Sequence, residues 1–111
     1  MGMNKTAIAI QHQPTISDLP MPQGGVFTVY GDGTLYAEPE SSAVKEFTYL
    51  TNSQTLVVRF VGNEHKEYFY DDVPAYKIFQ MLASESIGAF IAKAIKPHHE
   101  VWSPEPRTRS I

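Results

Sequence analysis

Between Val44 and Tyr70 the side chains alternate with a period of two, and that pattern leaves the chain little freedom. Lys45, Phe47 and Tyr49 alternate with Val44, Glu46, Thr48 and Leu50; further on, Leu56, Val58 and Phe60 alternate with Val57, Arg59 and Val61. A strand sends successive side chains to opposite faces, so each run presents two different surfaces. Thr51-Asn52-Ser53-Gln54 and Gly62-Asn63-Glu64-His65 supply turn residues, and Lys66 to Tyr70 reads as a third strand. The expectation is a three-stranded antiparallel meander. It ends on Tyr68-Phe69-Tyr70, with Tyr68 and Tyr70 on one face and Phe69 on the other. Two neighbouring tyrosines on one face are either half of a core or a platform for a flat ligand.

The period changes after Asp71-Asp72-Val73-Pro74. Ala75, Ile78, Phe79 and Leu82 fall at helical spacing, with Asp72 as the expected cap and Pro74 in the first turn. Ser84 or Ser86 caps a second helix, whose Ile87, Phe90, Ile91, Ala94 and Ile95 form one apolar stripe before Pro97. Upstream, Val26 to Tyr30 and Thr34 to Ala37 flank Gly31-Asp32-Gly33, a hairpin signal. The fold class is therefore α+β: an antiparallel sheet of three to five strands, built from the meander plus an N-terminal hairpin, with two C-terminal helices packed on one face. Residues 1–24 read as an extended arm broken by Pro14, Pro20 and Pro22, with Ile8 and Ile10 as a short edge pairing. Residues 25–40 form the hairpin extension, 41–99 the compact domain, and 100–111 an irregular basic tail with Trp102 as its large anchor.

A chain of 111 residues supports one domain with a modest core. Its net charge of -3 disfavours sequence-independent binding to a duplex, which draws on phosphate neutralisation. With no cysteine there is neither a disulfide frame nor a thiolate metal site. No apolar run approaches the ~20 residues of a membrane span, and the first residues lack a signal-peptide core. A cytoplasmic location with no membrane partner is expected.

Several clusters offer chemistry, each beside a plainer role. Tyr68 and Tyr70 can stack bases, with Lys66 sharing their strand parity and Arg59 placed to reach a phosphate; equally, the tyrosines can lie under the helices. Ser84, Ser86 and Gly88 at a helix start can receive an anion, or simply cap and pack the helix. His98-His99-Glu100 lacks the spacing of a helical metal pair and reads as a solvated helix exit. Asp71-Asp72 reads as a cap and its solvated neighbour. Lys93, Lys96, Arg107 and Arg109 gather positive charge near Trp102, an aromatic and basic surface for an anionic ligand. No nucleophile stands in a motif with its base, so neither an enzyme nor a cofactor or metal is expected.

From Ser41 to about His99 the chain resembles the KTSC domain, a short module also found at the C-terminus of some lysyl-tRNA synthetases. The resemblance rests on Ser41-Ser42, Leu56-Val57-Val58-Arg59-Phe60, Tyr68-Phe69-Tyr70, Val73-Pro74, Ala83-Ser84, Ser86 with Gly88, and Phe90 through Ile95-Lys96. It implies a small domain of bacterial or phage type for which RNA binding has been suggested. Together these point to a non-enzymatic module for a nucleotide-type ligand, either single-stranded RNA or a small nucleotide. Its site would comprise Tyr68, Tyr70, Arg59, Lys66, Trp102, Arg107 and Arg109. The alternative is a protein-interaction module, such as a small phage or mobile-element inhibitor or adaptor acting through its terminal extensions. Exposed edge strands would also favour a homo-oligomer.

Overall fold

The computed structural model describes residues 15–104. They form one antiparallel sheet of seven strands, in the order of the chain. The strands are β1 (Thr15–Pro20), β2 (Val26–Tyr30), β3 (Leu35–Ala37), β4 (Val44–Leu50), β5 (Thr55–Phe60), β6 (Asn63–Tyr70) and β7 (Val101–Trp102). Two helices stand between β6 and β7: α1 (Ala75–Ala83), and α2 (Ile87–Phe90), which runs on into a π-helical segment at Ile91–Ile95. No helix among the described residues is long and apolar enough to cross a membrane.

The α+β class is as expected, but the sheet is larger than the meander and hairpin alone. The hairpin β2–β3 pairs directly with β4, so hairpin and meander are one surface. The proline-bearing arm supplies β1, with Pro20 as its last residue on the sheet edge, where a missing N–H costs least. The basic tail supplies β7, pairing Phe69 with Trp102 and Tyr70 with Val101. The suggested pairing of Ile8 and Ile10 lies outside the described residues.

Register sorts the side chains. Leu35 faces Tyr49, Tyr49 faces Leu56, and Leu56 faces Tyr70, while Ala37, Phe47, Val58 and Tyr68 align the same way. All of these but Tyr68, which packs against it, share a core cluster with Ile78, Met81, Leu82, Ile87, Ile91 and Ile95 from the helices. Phe47, Leu56, Val58, Ile78 and Ile95 are all 0 % exposed, so the helices cover this face and no other. The opposite, outer face carries a row across all strands: Asp18, Thr28, Tyr36, Thr48, Val57, Phe69 and Trp102.

The joints differ in detail from the pattern expected. Strand β6 begins at Asn63, so Val61-Gly62 alone make the turn, with Gly62 at φ +91°. That left-handed conformation suits glycine in a two-residue hairpin loop. Asp72 does not cap α1: it lies at φ +56°, and Pro74 occupies the cap position without a side-chain bond. The sheet instead fixes this junction, since the Tyr49 hydroxyl donates to the Val73 carbonyl at 2.6 Å and Val73 N–H donates to Gln54 O at 2.8 Å. Ser86 is the cap of α2, its Oγ accepting from Ala89 N–H at 3.1 Å. Ser84 instead closes α1, donating from its hydroxyl to Met81 O at 2.7 Å.

Gly88 brings α2 against the loop before β4. A Cβ at this position would lie 2.8 Å from the Ala43 Cβ, closer than two carbons can pack. Neither atom can rotate away, so the backbone must move. Gly88→Ala is expected to lose about 1–3 kcal/mol in urea unfolding, with part regained when Ala43→Gly is added. Equal stability of Gly88→Ala and the parent would contradict this contact.

Candidate functional site

The two tyrosines of the central motif have different surroundings. Tyr70 is 1 % exposed in the middle of the core, opposite Leu56. Burial, with Tyr68 adding to it, pushes its phenol pKa above the ordinary value. Both ring faces belong to the core, so Tyr70 has no surface on which a base could stack in this fold. Tyr68 is two register pairs nearer the β5–β6 turn and is half-buried. Its ring meets Phe60 edge-on, 5.3 Å between centroids at 73°, and its hydroxyl accepts from Asn63 Nδ2 at 3.2 Å.

Two lysines complete this corner. Lys66 Nζ lies 5.1 Å from the centre of the Tyr68 ring, and Lys96 Nζ lies 5.2 Å from that of Phe60. No salt bridge engages either ammonium among the described residues. Of the expected site, the fold thus brings together Tyr68 and Lys66. Phe60 and Asn63 were not legible as members, because their place depends on the hairpin register; Lys96 was visible only as part of a basic group.

Arg59 points to the other face, and each of its three nitrogens has a partner there. Its Nε pairs with Glu46 at 3.0 Å, Nη2 with Glu67 at 2.9 Å, and Nη1 donates to Glu64 O at 2.8 Å. The β5–β6 register shifts between Val58 and Phe60, and the guanidinium stitches that irregular stretch together. It is therefore no free phosphate ligand beside Tyr68, as the sequence had suggested. Trp102 also lies on the outer face, stacked on Phe69 at 4.3 Å and 17°. Its indole N–H donates to the Asp71 carboxylate at 3.1–3.2 Å, so Asp71 is a hydrogen-bond acceptor and not merely the solvated neighbour of a cap. Arg107 and Arg109 lie outside the described residues.

The serine-lined start of α2 opens into a cleft of about 260 Å³, with Gln23, Ser41, Ser42, Ser86 and Gly88 among its walls. Two of its hydroxyl oxygens already accept hydrogen bonds, Ser41 Oγ from Ala43 and Val44 N–H and Ser86 Oγ from Ala89 N–H. Glu40 and Glu85 also line it, and two carboxylates oppose an anion there.

His99 is not a solvated helix exit. Its Nδ1 is 3.1 Å from Asp71 O and its Nε2 2.9 Å from Lys77 Nζ. An ammonium only donates, so Nε2 accepts and Nδ1–H donates, which describes a neutral ring. Lys77 also donates to Ala94 O at 2.9 Å, tying α1 to α2. Burial, then the Lys77 charge, lowers the His99 pKa, against smaller opposing effects from the Asp71 carbonyl and Asp72. Among the described residues no group of histidines and carboxylates is arranged to hold a metal ion.

These features describe a helix-backed antiparallel sheet module with an aromatic, lysine-bearing corner on one face and an acidic, open surface on the other. The chain belongs to the KTSC domain family, whose model matches residues 40–99. No curated protein and no solved structure matches it.

The His99 clamp predicts a pH dependence. A folded pKa below the ordinary 6.5 means that the unfolded chain takes up the proton first as pH falls. The contribution is fully present above 6.5 and is lost as pH falls through the lowered native value. Unfolding free energy should decline over that window, and His99→Gln should flatten the slope. An unchanged slope in the variant would contradict the neutral, lysine-paired ring.

Proposed function

We propose that the chain is a non-enzymatic binding module for a nucleotide-type ligand, a compact nucleotide in preference to a long strand, held at the Phe60–Tyr68 corner. The observation that carries this reading is the pair of lysine ammoniums poised over two adjoining aromatic rings without a carboxylate partner among the described residues. Exposed cation–π contacts are worth only about 0.5–1 kcal/mol, so they yield readily to a better partner. A base that takes the Tyr68 ring gains roughly 1–3 kcal/mol, and the displaced Lys66 can follow onto its phosphate. Lys96, from the far end of α2, supplies the second charge. The chain's net charge of -3 weighs against an extended phosphate backbone and in favour of a small ligand.

A second reading, a protein-interaction surface that pairs copies of the chain, is favoured by Tyr76 and Phe79. They lie one turn apart on α1 and are 61 % and 60 % exposed. Sedimentation of the parent and of Phe79→Glu distinguishes it: a dimer lost in the variant supports pairing through α1.

Calorimetric titration with nucleoside mono- and diphosphates and with a short single-stranded RNA tests the first reading. The nucleotides should bind in a salt-sensitive manner, and the exposed-site double variant Lys66→Glu/Lys96→Glu should weaken them by about tenfold or more. Tyr68→Ala should weaken binding further, with thermal unfolding used to verify that the variant is folded. Binding no stronger than to a neutral nucleoside, or binding untouched by the lysine changes, would overturn the proposal.

A further inference from the structure

The outer face of the sheet has a chemistry opposite to that of the lysine corner. Asp18, Glu38, Glu46, Glu67 and Asp71 stand on it or at its rim, with Arg59 the cation among them. Two of those carboxylates share a single hydroxyl donor. The Tyr36 hydroxyl lies 2.7 Å from Glu38 Oε2 and 3.0 Å from Glu46 Oε1. A phenol carries one hydrogen, so it can donate to only one carboxylate at a time and meets the other lone pair to lone pair. Arg59 reaches the other oxygen of Glu46 through Nε, while its Nη1 and Nη2 are directed to the Glu64 carbonyl and to Glu67. Burial first, and then both glutamates, push the Tyr36 pKa well above the ordinary phenol value, so the hydroxyl keeps its one proton.

The surface around this group is shaped as well as charged. Shallow depressions of about 190 and 330 Å³ flank Tyr36, the first reaching Thr48 and the second Thr28 and Glu38. The same row ends at Trp102, 49 % exposed and backed by Phe69. From β4, which carries Glu46, to β7, which carries Trp102, there are three strand spacings, or about 14 Å. Four residues of extended chain cover about the same distance.

We infer that the open face of the sheet docks a cationic segment of a partner protein, a lysine or arginine seated at Glu38 and Glu46 and an apolar side chain, about four residues away, packed on Trp102. An incoming ammonium or guanidinium supplies the donor that Tyr36 cannot share. Phosphate-rich partners are repelled by the same carboxylates, which sets this face apart from the lysine corner on the helix-covered side.

The test uses the full chain and two blocked heptapeptides, Lys-Lys-Ser-Gly-Ser-Leu-Leu and its counterpart with glutamate in place of lysine. Binding is followed by the Trp102 indole resonance and the amide resonances of β3 to β7. The lysine peptide should shift Trp102 together with Tyr36 and Thr48, while the glutamate peptide should not. The exposed-site variant Glu38→Lys should raise the half-saturating concentration by about tenfold, the equivalent of one charge-assisted hydrogen bond. Lys96→Ala, on the opposite face, should leave it unchanged. Equal shifts with both peptides, shifts confined to the lysine corner, or no shift at all would overturn the inference. So would binding that appears only after residues 105–111 are removed, or a Trp102 signal that changes on dilution alone; those results assign the face to the chain's own tail or to a second copy.

Discussion

The register that sets Tyr49 against Leu56 and Leu56 against Tyr70 decides what every other residue of the domain can do. Because side chains alternate along a strand, a slip of one residue would carry Phe47, Leu56 and Tyr70 to the open face. Each such side chain gains about 1.5–3 kcal/mol from burial, so the slip is strongly opposed. The Tyr49 hydroxyl extends this constraint to the helices: its bond to the Val73 carbonyl holds the start of α1 against the centre of the sheet. Val73 itself is 0 % exposed, so the junction is both packed and hydrogen-bonded.

Covering one face only leaves a molecule with two unlike surfaces. On the helix side the cover thins out past Tyr70, and the Phe60–Tyr68 pair emerges with lysines above it. On the open side, carboxylates and hydroxyls surround Arg59, and the aromatic character is concentrated at Phe69 and Trp102. Strand parity thus separates charge as well as polarity. Lys66 and Arg59, near neighbours on adjacent strands, serve opposite faces: one is poised over a ring, the other locked between two glutamates.

Much of this architecture is legible in the sequence because it rests on periodicity. The alternation through β4 and β5 and the apolar stripe of α2 each repeat often enough to outweigh local exceptions. β1 and β7 are not legible for the opposite reason: Thr15–Pro20 has no clean alternation, and Val101–Trp102 is too short to show any. The site was harder still. Tyr68 and Tyr70 are equivalent in a strand pattern, and only the extent of the helical cover separates a core ring from a half-buried one. Arg59 looks like a free cation in the sequence because Glu46 and Glu67 are distant along the chain and meet it only across the sheet. The Lys77–His99 contact, 22 residues apart in the chain, had no local signature at all.

The parity of the aromatic strand is the claim on which both surfaces rest, and nuclear Overhauser effects between assigned rings test it directly. Cross-peaks are predicted from Phe69 to the Trp102 indole, and from Tyr70 to the methyl groups of Leu56, with Tyr68 contacting Phe60. Cross-peaks from Tyr70 to the Trp102 indole, with Phe69 contacting the methyl groups of Leu56, would place the motif the other way round and contradict the account.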